Sequence, residues 1–203
     1  MNPRVLRRFI ILMGIATFAA FSIWGVIHMM ANQAPGDFHT RAGDILLSDK
    51  KYDEALASFD AALREMPDHR GAVMGRGIVF LQTEKFKEAR AEFTYLIDYL
   101  NKTLKPDDPT GRGTLAAAYA NRGILLDRQG HYKEALDDYI EALKTDMEAL
   151  DGPNIFDKVL YGTPRPSTVQ KRAQYLYEQL KLPPEKQLLR MPEIDAEQRM
   201  YKP

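Results

Sequence analysis

The sequence predicts an all-α fold: an N-terminal transmembrane helix, then a three-repeat helical solenoid with a C-terminal capping helix. Three observations carry this. The stretch Tyr52–Phe59 (YDEALASF) returns as Phe86–Phe93 (FKEARAEF) and again as Tyr132–Tyr139 (YKEALDDY). The chain carries no charge from Phe9 to Met30, directly after Arg4, Arg7 and Arg8. A last segment of helical apolar spacing stands at the far end, beyond a Gly/Pro linker and ahead of Pro183. A unit that recurs every few tens of residues cannot bury its apolar face alone and stacks on its neighbours.

The first element, residues 1–30, reads as a membrane anchor. The charge-free run from Phe9 to Met30 is 22 residues, and at ~1.5 Å per residue it spans a hydrocarbon layer of ~30 Å. A cleavable secretory signal is the alternative. The run is longer than the apolar region such signals carry, and His28 to Pro35 offers a poor small-x-small cleavage site, so an uncleaved anchor fits better. In a bacterial inner membrane the three arginines put the N-terminus in the cytoplasm and the rest in the periplasm. Trp24 and His28 lie near the outer end, where interfacial residues gather. Residues 31–36 form an Asn, Gln, Pro and Gly hinge.

Repeats follow at 36–69, 70–103 and 116–149, with an insertion at 104–115 whose centre has loop chemistry. In each second helix the apolar positions fall as in Tyr52, Ala55, Leu56, Phe59, Ala62 and Leu63, one stripe on a helix of 3.6 residues per turn. Gly43, Gly77 and Gly123 fall mid-helix, where glycine costs ~1 kcal/mol against alanine. Their recurrence predicts close approach of two helices, with Ala55, Ala89 and Ala135 as the matching small residues.

The motifs His39-x-x-Ala42-Gly43-x-x-Leu46 with Ala55-x-x-x-Phe59 and Pro67 resemble the tetratricopeptide repeat. Val73-x-x-Arg76-Gly77-x-x-Phe80 with Ala89-x-x-x-Phe93, and Tyr119-x-x-Arg122-Gly123-x-x-Leu126 with Ala135-x-x-x-Tyr139, are similar. Arg76 and Arg122 stand where that family usually has leucine. The resemblance implies an inner groove lined by the first helix of each repeat and able to receive a partner's peptide or helix. Its lining here would be Thr40, Asp44, Leu47 and Ser48, then Met74, Ile78, Leu81 and Gln82, then Ala120, Asn121, Ile124, Asp127 and Arg128. Some members clamp a partner's terminal carboxylate with a lysine and asparagines. The matching first-copy positions are Thr40 and Asp44, which do not fit that ligand.

The closing segment, 150–182, comprises a linker over 151–166, whose Ile155, Phe156, Val159, Leu160 and Tyr161 are expected to pack on the last repeat, and a capping helix. Ser167 and Gln170 have capping-box spacing, and Val169, Ala173, Leu176, Tyr177 and Leu180 form the stripe. Residues 183–203 read as a polar tail with scattered apolar side chains; this tail, or the 104–115 insertion, is the alternative occupant of the groove.

Composition narrows the function. The whole chain has 28 Lys and Arg against 28 Asp and Glu. Setting aside the three leading arginines leaves 25 against 28, a net of −3, which offers no basic field for nucleic acid. The chain has no cysteine, so disulfides, thiolate catalysis and cysteine metal sites are excluded. No His-Glu-x-x-His, Gly-x-Ser-x-Gly or phosphate loop is present. His39, His69 and His131 are too scattered to share a metal. The expectation is a non-enzymatic protein without cofactor, whose partners are other proteins, membrane-complex subunits among them, and the lipid bilayer through residues 9–30. Two roles stay open: a membrane-anchored scaffold or accessory subunit of a larger complex, and a periplasmic adaptor or chaperone for translocation, cytochrome maturation or envelope assembly.

Overall fold

The computed structural model describes residues 3–31, 34–147, 150 and 168–190. Its helices are α1 (Pro3–Ala31), α2 (Asp37–Ser48), α3 (Tyr52–Glu65), α4 (Arg70–Gln82), α5 (Phe86–Thr103), α6 (Pro109–Arg128), α7 (Tyr132–Thr145) and α8 (Val169–Leu180), with a 3-10 turn at Pro184–Lys186. No strand occurs among the described residues. Helices α2/α3, α4/α5 and α6/α7 pair, each pair packs on the next, and α8 lies on α7. This is a helical solenoid with an N-terminal apolar helix ahead of it.

Each pair turns in the same way. Three residues separate the two helices, and the middle one, Lys50, Glu84 or Gly130, has φ of 60°, 58° or 81°. The N–H groups of Lys51, Lys85 and His131 donate back to the carbonyls of Leu46, Phe80 and Leu126 at 2.8, 2.8 and 2.9 Å. That closes the orphan carbonyls of each first helix, as a left-handed residue after a helix allows.

The starts of α4, α6 and α8 are set by side chains the sequence supplies. His69 Nδ1 accepts from the Ala72 N–H at 3.2 Å, so the ring proton sits on Nε2, which donates to Asp37 Oδ1 at 3.0 Å. Asp108 accepts from the Gly111 N–H at 2.7 Å, with Pro109 in the first turn, a favoured pairing of cap and first helical residue. Helix α6 thus begins inside the expected insertion: only residues 104–108 are loop, and 109–115 become its first two turns. The cap of α8 is Thr168, whose side chain accepts from the Lys171 N–H at 3.3 Å, rather than Ser167, which lies outside the described residues. Threonine serves there because its hydroxyl oxygen reaches an orphan amide of the first turn. Ile155, Phe156, Val159, Leu160 and Tyr161, and the tail beyond 190, lie outside them as well.

The recurring glycines do bring helices together, but through an aromatic ring rather than an alanine. A Cβ on Gly43 would sit 2.6 Å from the Phe59 ring, on Gly77 2.6 Å from Phe93, and on Gly123 2.7 Å from Tyr139. Ala55, Ala89 and Ala135 are fully buried one turn earlier. The flat ring seated on a bare backbone is the tighter contact, since it fills the notch that a side chain would occupy.

Candidate functional site

The inner helices α2, α4 and α6 lie side by side, as a groove requires. Asn121 donates to Met74 Sδ at 3.3 Å across α6 and α4. Accessibility is where structure and sequence differ. Met74, Leu81, Asn121 and Ile124 are 0% exposed, and Ile78 and Asp127 4%; Ala120 is buried too. Leu47 and Arg128 are half-buried. The strip expected to face solvent is interior in this structure. Met74, Ile78, Leu81 and Ile124 belong to the main apolar cluster with Leu96, Leu100, Val169 and Leu176. Helix α6 is enclosed on nearly all sides, which is why its middle is built from Ala116, Ala117, Ala118 and Ala120.

Asp127, placed in the groove by resemblance, has a different partner. Both of its oxygens accept from Arg172 of α8 at 2.7 Å, and one also accepts from Tyr139 Oη at 3.1 Å. Arg172 is 1% exposed and donates further to the Leu189 carbonyl at 3.0 Å. The tail is drawn in beside it: Tyr175 Oη donates to the Leu188 carbonyl, and Arg190 donates to the Arg128 carbonyl at 2.8 Å. Buried charges of this kind survive only when paired and hydrogen-bonded. Nothing in the spacing of Arg172, 45 residues away, pointed to it. A basic residue on the buried stripe of α8, between Val169 and Ala173, was the available signal.

Arg76 and Arg122 occupy the family's leucine position and join repeats. Arg76 pairs with Asp60 of the preceding second helix at 2.9 Å and with Glu92 of its own at 2.8 Å. Arg122 repeats this with Thr94 at 3.2 Å and, through two bonds of 2.7 and 2.8 Å, with Asp138. Burial opposes the Arg76 charge, yet Asp60 and Glu92 outweigh it and hold the guanidinium above its ordinary value. The bonds that Arg122 donates to Asp138 raise its guanidinium against its own burial. Burial pushes the Glu92 carboxyl up despite Arg76. These groups are spent on the fold. No group of three or more metal-ligating side chains occurs among the described residues.

Comparison with known proteins agrees with this architecture. Tetratricopeptide repeat family models match residues 40–109 and 116–149. DnaJ homolog subfamily C member 3 of Rattus norvegicus and of Homo sapiens is 36% identical over 107 residues, 53% of this chain and 19% of the relative; the chain thus matches about a fifth of their length. Among solved structures, the first tetratricopeptide domain of Spaghetti (RPAP3), bound to an HSP90 peptide, superposes with a TM-score of 0.51 at 16% identity, over 73% of this chain and 94% of that one. The tetratricopeptide domain of Arabidopsis OM64 gives 0.47 at 21% identity, over 69% and 94%. Tetratricopeptide domains are protein–protein interaction modules. With three glycine-and-aromatic repeats in register and the family models covering them, this chain belongs to the tetratricopeptide repeat family.

Proposed function

We propose that the protein is a membrane-anchored scaffold, an accessory subunit of a larger membrane complex, held in the bilayer by α1 and presenting its repeats to neighbouring proteins. The observation that carries this is the state of α1. Its candidate membrane span, Pro3–Gly25, has no residue buried against the rest of the chain, and Phe18 and Phe21 in its charge-free part stand 76% and 68% exposed. From Phe9 onward the helix is free of charge on every side, which suits lipid, where its backbone groups are satisfied internally. In a bacterial inner membrane, Arg4, Arg7 and Arg8 would favour a cytoplasmic N-terminus with the repeats on the periplasmic side.

The burial of Met74, Ile78, Leu81 and Ile124 favours a subunit over an open-groove adaptor. An adaptor for translocation, cytochrome maturation or envelope assembly is the second reading, favoured by the continuous apolar character of that strip. In it a partner's helix or extended segment would line up along Leu47, Met74, Ile78, Leu81, Asn121, Ile124, Asp127 and Arg128 once these were re-exposed. A terminal-carboxylate ligand suits neither reading: Thr40 is buried against His69 Nδ1 at 3.4 Å and Asp44 carries the wrong charge.

Purification of the tagged full chain from membranes in mild detergent tests the proposal. Recovery of one set of partners in fixed stoichiometry supports the subunit, and substoichiometric, varied partners favour the adaptor. Alkaline carbonate extraction tests the anchor: a chain released into the supernatant would defeat both readings.

A further inference from the structure

Phe38 and Ile45 lie seven residues apart on one side of α2, opposite Thr40, Gly43 and Leu47, and are 70% and 65% exposed. Their counterparts in the next two repeats are Ala72 with Val79 and Ala118 with Leu125, all four fully buried. Ala72 and Val79 cluster with Ala55, Phe59 and Ala62 of α3, the second helix of the repeat before. This is the stacking position of each unit, and in the first unit nothing described stacks on it.

That outer face is not a copy of the inner ones. The stacking faces of α4 and α6 each carry an arginine that reaches the preceding repeat, Arg76 to Asp60 and Arg122 to Thr94. The same position in α2 is Ala42. The face exchanges its polar clamp for a methyl group and its small side chains for two bulky apolar ones. Phe38, Ala42 and Ile45 together cover far less than the roughly 1,000 Å² that a stable protein interface needs. Insertion into a lipid interface has no such threshold, because each apolar side chain that leaves water contributes by itself.

The position of this face along the chain names the lipid. Helix α1 ends at Ala31 and α2 starts at Asp37, so the connection reaches at most ~20 Å at ~3.6 Å per residue. We propose, resting on the anchor reading of α1, that the Phe38–Ala42–Ile45 face of α2 lies on the headgroup–acyl boundary of the membrane that α1 crosses. The two bulky side chains are ~10 Å apart along the axis at ~1.5 Å per residue, so α2 lies parallel to the surface when both insert. Arg41, exposed on the same side, meets lipid phosphates while its stem stays among apolar groups. Asp49 at the edge of the face is followed by the exposed Lys50 and Lys51.

The chain lacks cysteine, so single-site labels are clean. The full-length protein carrying Ile45→Cys, or Ala57→Cys on the exposed side of α3, is given a nitroxide and reconstituted in phosphatidylcholine vesicles with and without phosphatidylglycerol. Collision with oxygen, which concentrates in lipid, and with a water-soluble nickel chelate is read by power saturation. The label at 45 is expected to favour oxygen several-fold more than the label at 57, in both lipid mixtures. Equal accessibility of the two labels overturns the proposal. So does efficient disulfide formation between Ile45→Cys chains under copper–phenanthroline, which would assign the face to a second copy. Carbonate extraction of the same vesicles separates the levels: retention with a water-exposed label defeats only this inference, while release defeats the anchor and the inference with it.

Discussion

Arg172 of the closing helix and Asp127 of α6 hold each other through two parallel bonds of 2.7 Å, with 1% and 4% of their side chains exposed. The pair ties α8 to the last inner helix and gathers the Leu189 carbonyl as well. Removing one partner leaves the other charge buried, which costs ~3–5 kcal/mol, whereas replacing both with apolar groups of similar size is often near neutral. Arg172→Met is therefore expected to lower the unfolding midpoint of the detergent-solubilised full chain strongly. Arg172→Met with Asp127→Leu should recover most of the loss. A double variant as unstable as the single one would show that the pair contributes packing that no apolar substitute restores.

Gly75 offers a second test, at the junction of repeats one and two. A Cβ there would fall 2.3 Å from Phe59 Cζ and 2.5 Å from Cε1. Alanine improves helix propensity by ~1 kcal/mol, but displacing a fully buried ring costs ~1–3 kcal/mol. Gly75→Ala should lower the melting temperature, and a variant that melts higher would mean that Phe59 moves freely. Ala89→Leu, which adds three carbons at a fully buried site, should cost a similar ~1–3 kcal/mol, with the exposed Lys87→Ala within ~0.5 kcal/mol of neutral.

Ile78 and Ile45 separate interior from surface on the inner helices. Ile78 is 4% exposed and Ile45 65%. A glutamate at 78 enters the apolar cluster with no basic partner and should destabilise the domain by ~3 kcal/mol or more. Ile45→Glu in micelles should stay within ~0.5 kcal/mol of wild type. Circular dichroism melts of the two variants decide: a normally melting Ile78→Glu protein would return the strip to an open groove.

The His69–Asp37 bond predicts a pH dependence. The bond from His69, aided by the Ala34 N–H and against some burial, holds the Asp37 carboxyl below its ordinary 3.8. A carboxyl with a lowered folded value contributes stability above the unfolded value and loses it as pH falls through the folded one. Asp37→Asn should thus cost on the order of 1 kcal/mol of stability at pH 6 for this part-exposed bond to a charged group, read as a lower melting temperature. The gap to wild type should narrow as the pH falls below 3.8 and close once it passes the lower folded value. A gap that does not narrow at all as the pH falls below 3.8 would assign the effect to packing.

Repeat number, helix pairing and the glycine notches were legible because they rest on local spacing: Tyr52, Ala55 and Phe59 recur at helical intervals whatever surrounds them. The turns were not, since a left-handed Lys50 or Glu84 leaves no mark in composition. Asp127 was read as groove lining, and its ion pair was missed, for a related reason. Its position on α6 specifies which way it faces, whereas its partner, Arg172, comes from a helix 45 residues on, and charge alone does not rank such pairings. The accessibility of Met74 and Ile78 was equally hidden, because an apolar strip at helical spacing reads the same whether it lines an open channel or a closed interior.

The ring of Phe59 fills the notch over Gly43 in its own repeat and the notch over Gly75 in the next. One side chain is thereby a core residue of two units at once. Repeat one cannot open while repeat two stays closed without emptying half of that shared site, so the two are expected to melt as one cooperative block rather than fray in sequence. Amide exchange in α2, at the physical end of the array, would then slow to the rate of α4. The outermost helix of the repeat array would then exchange like an interior one.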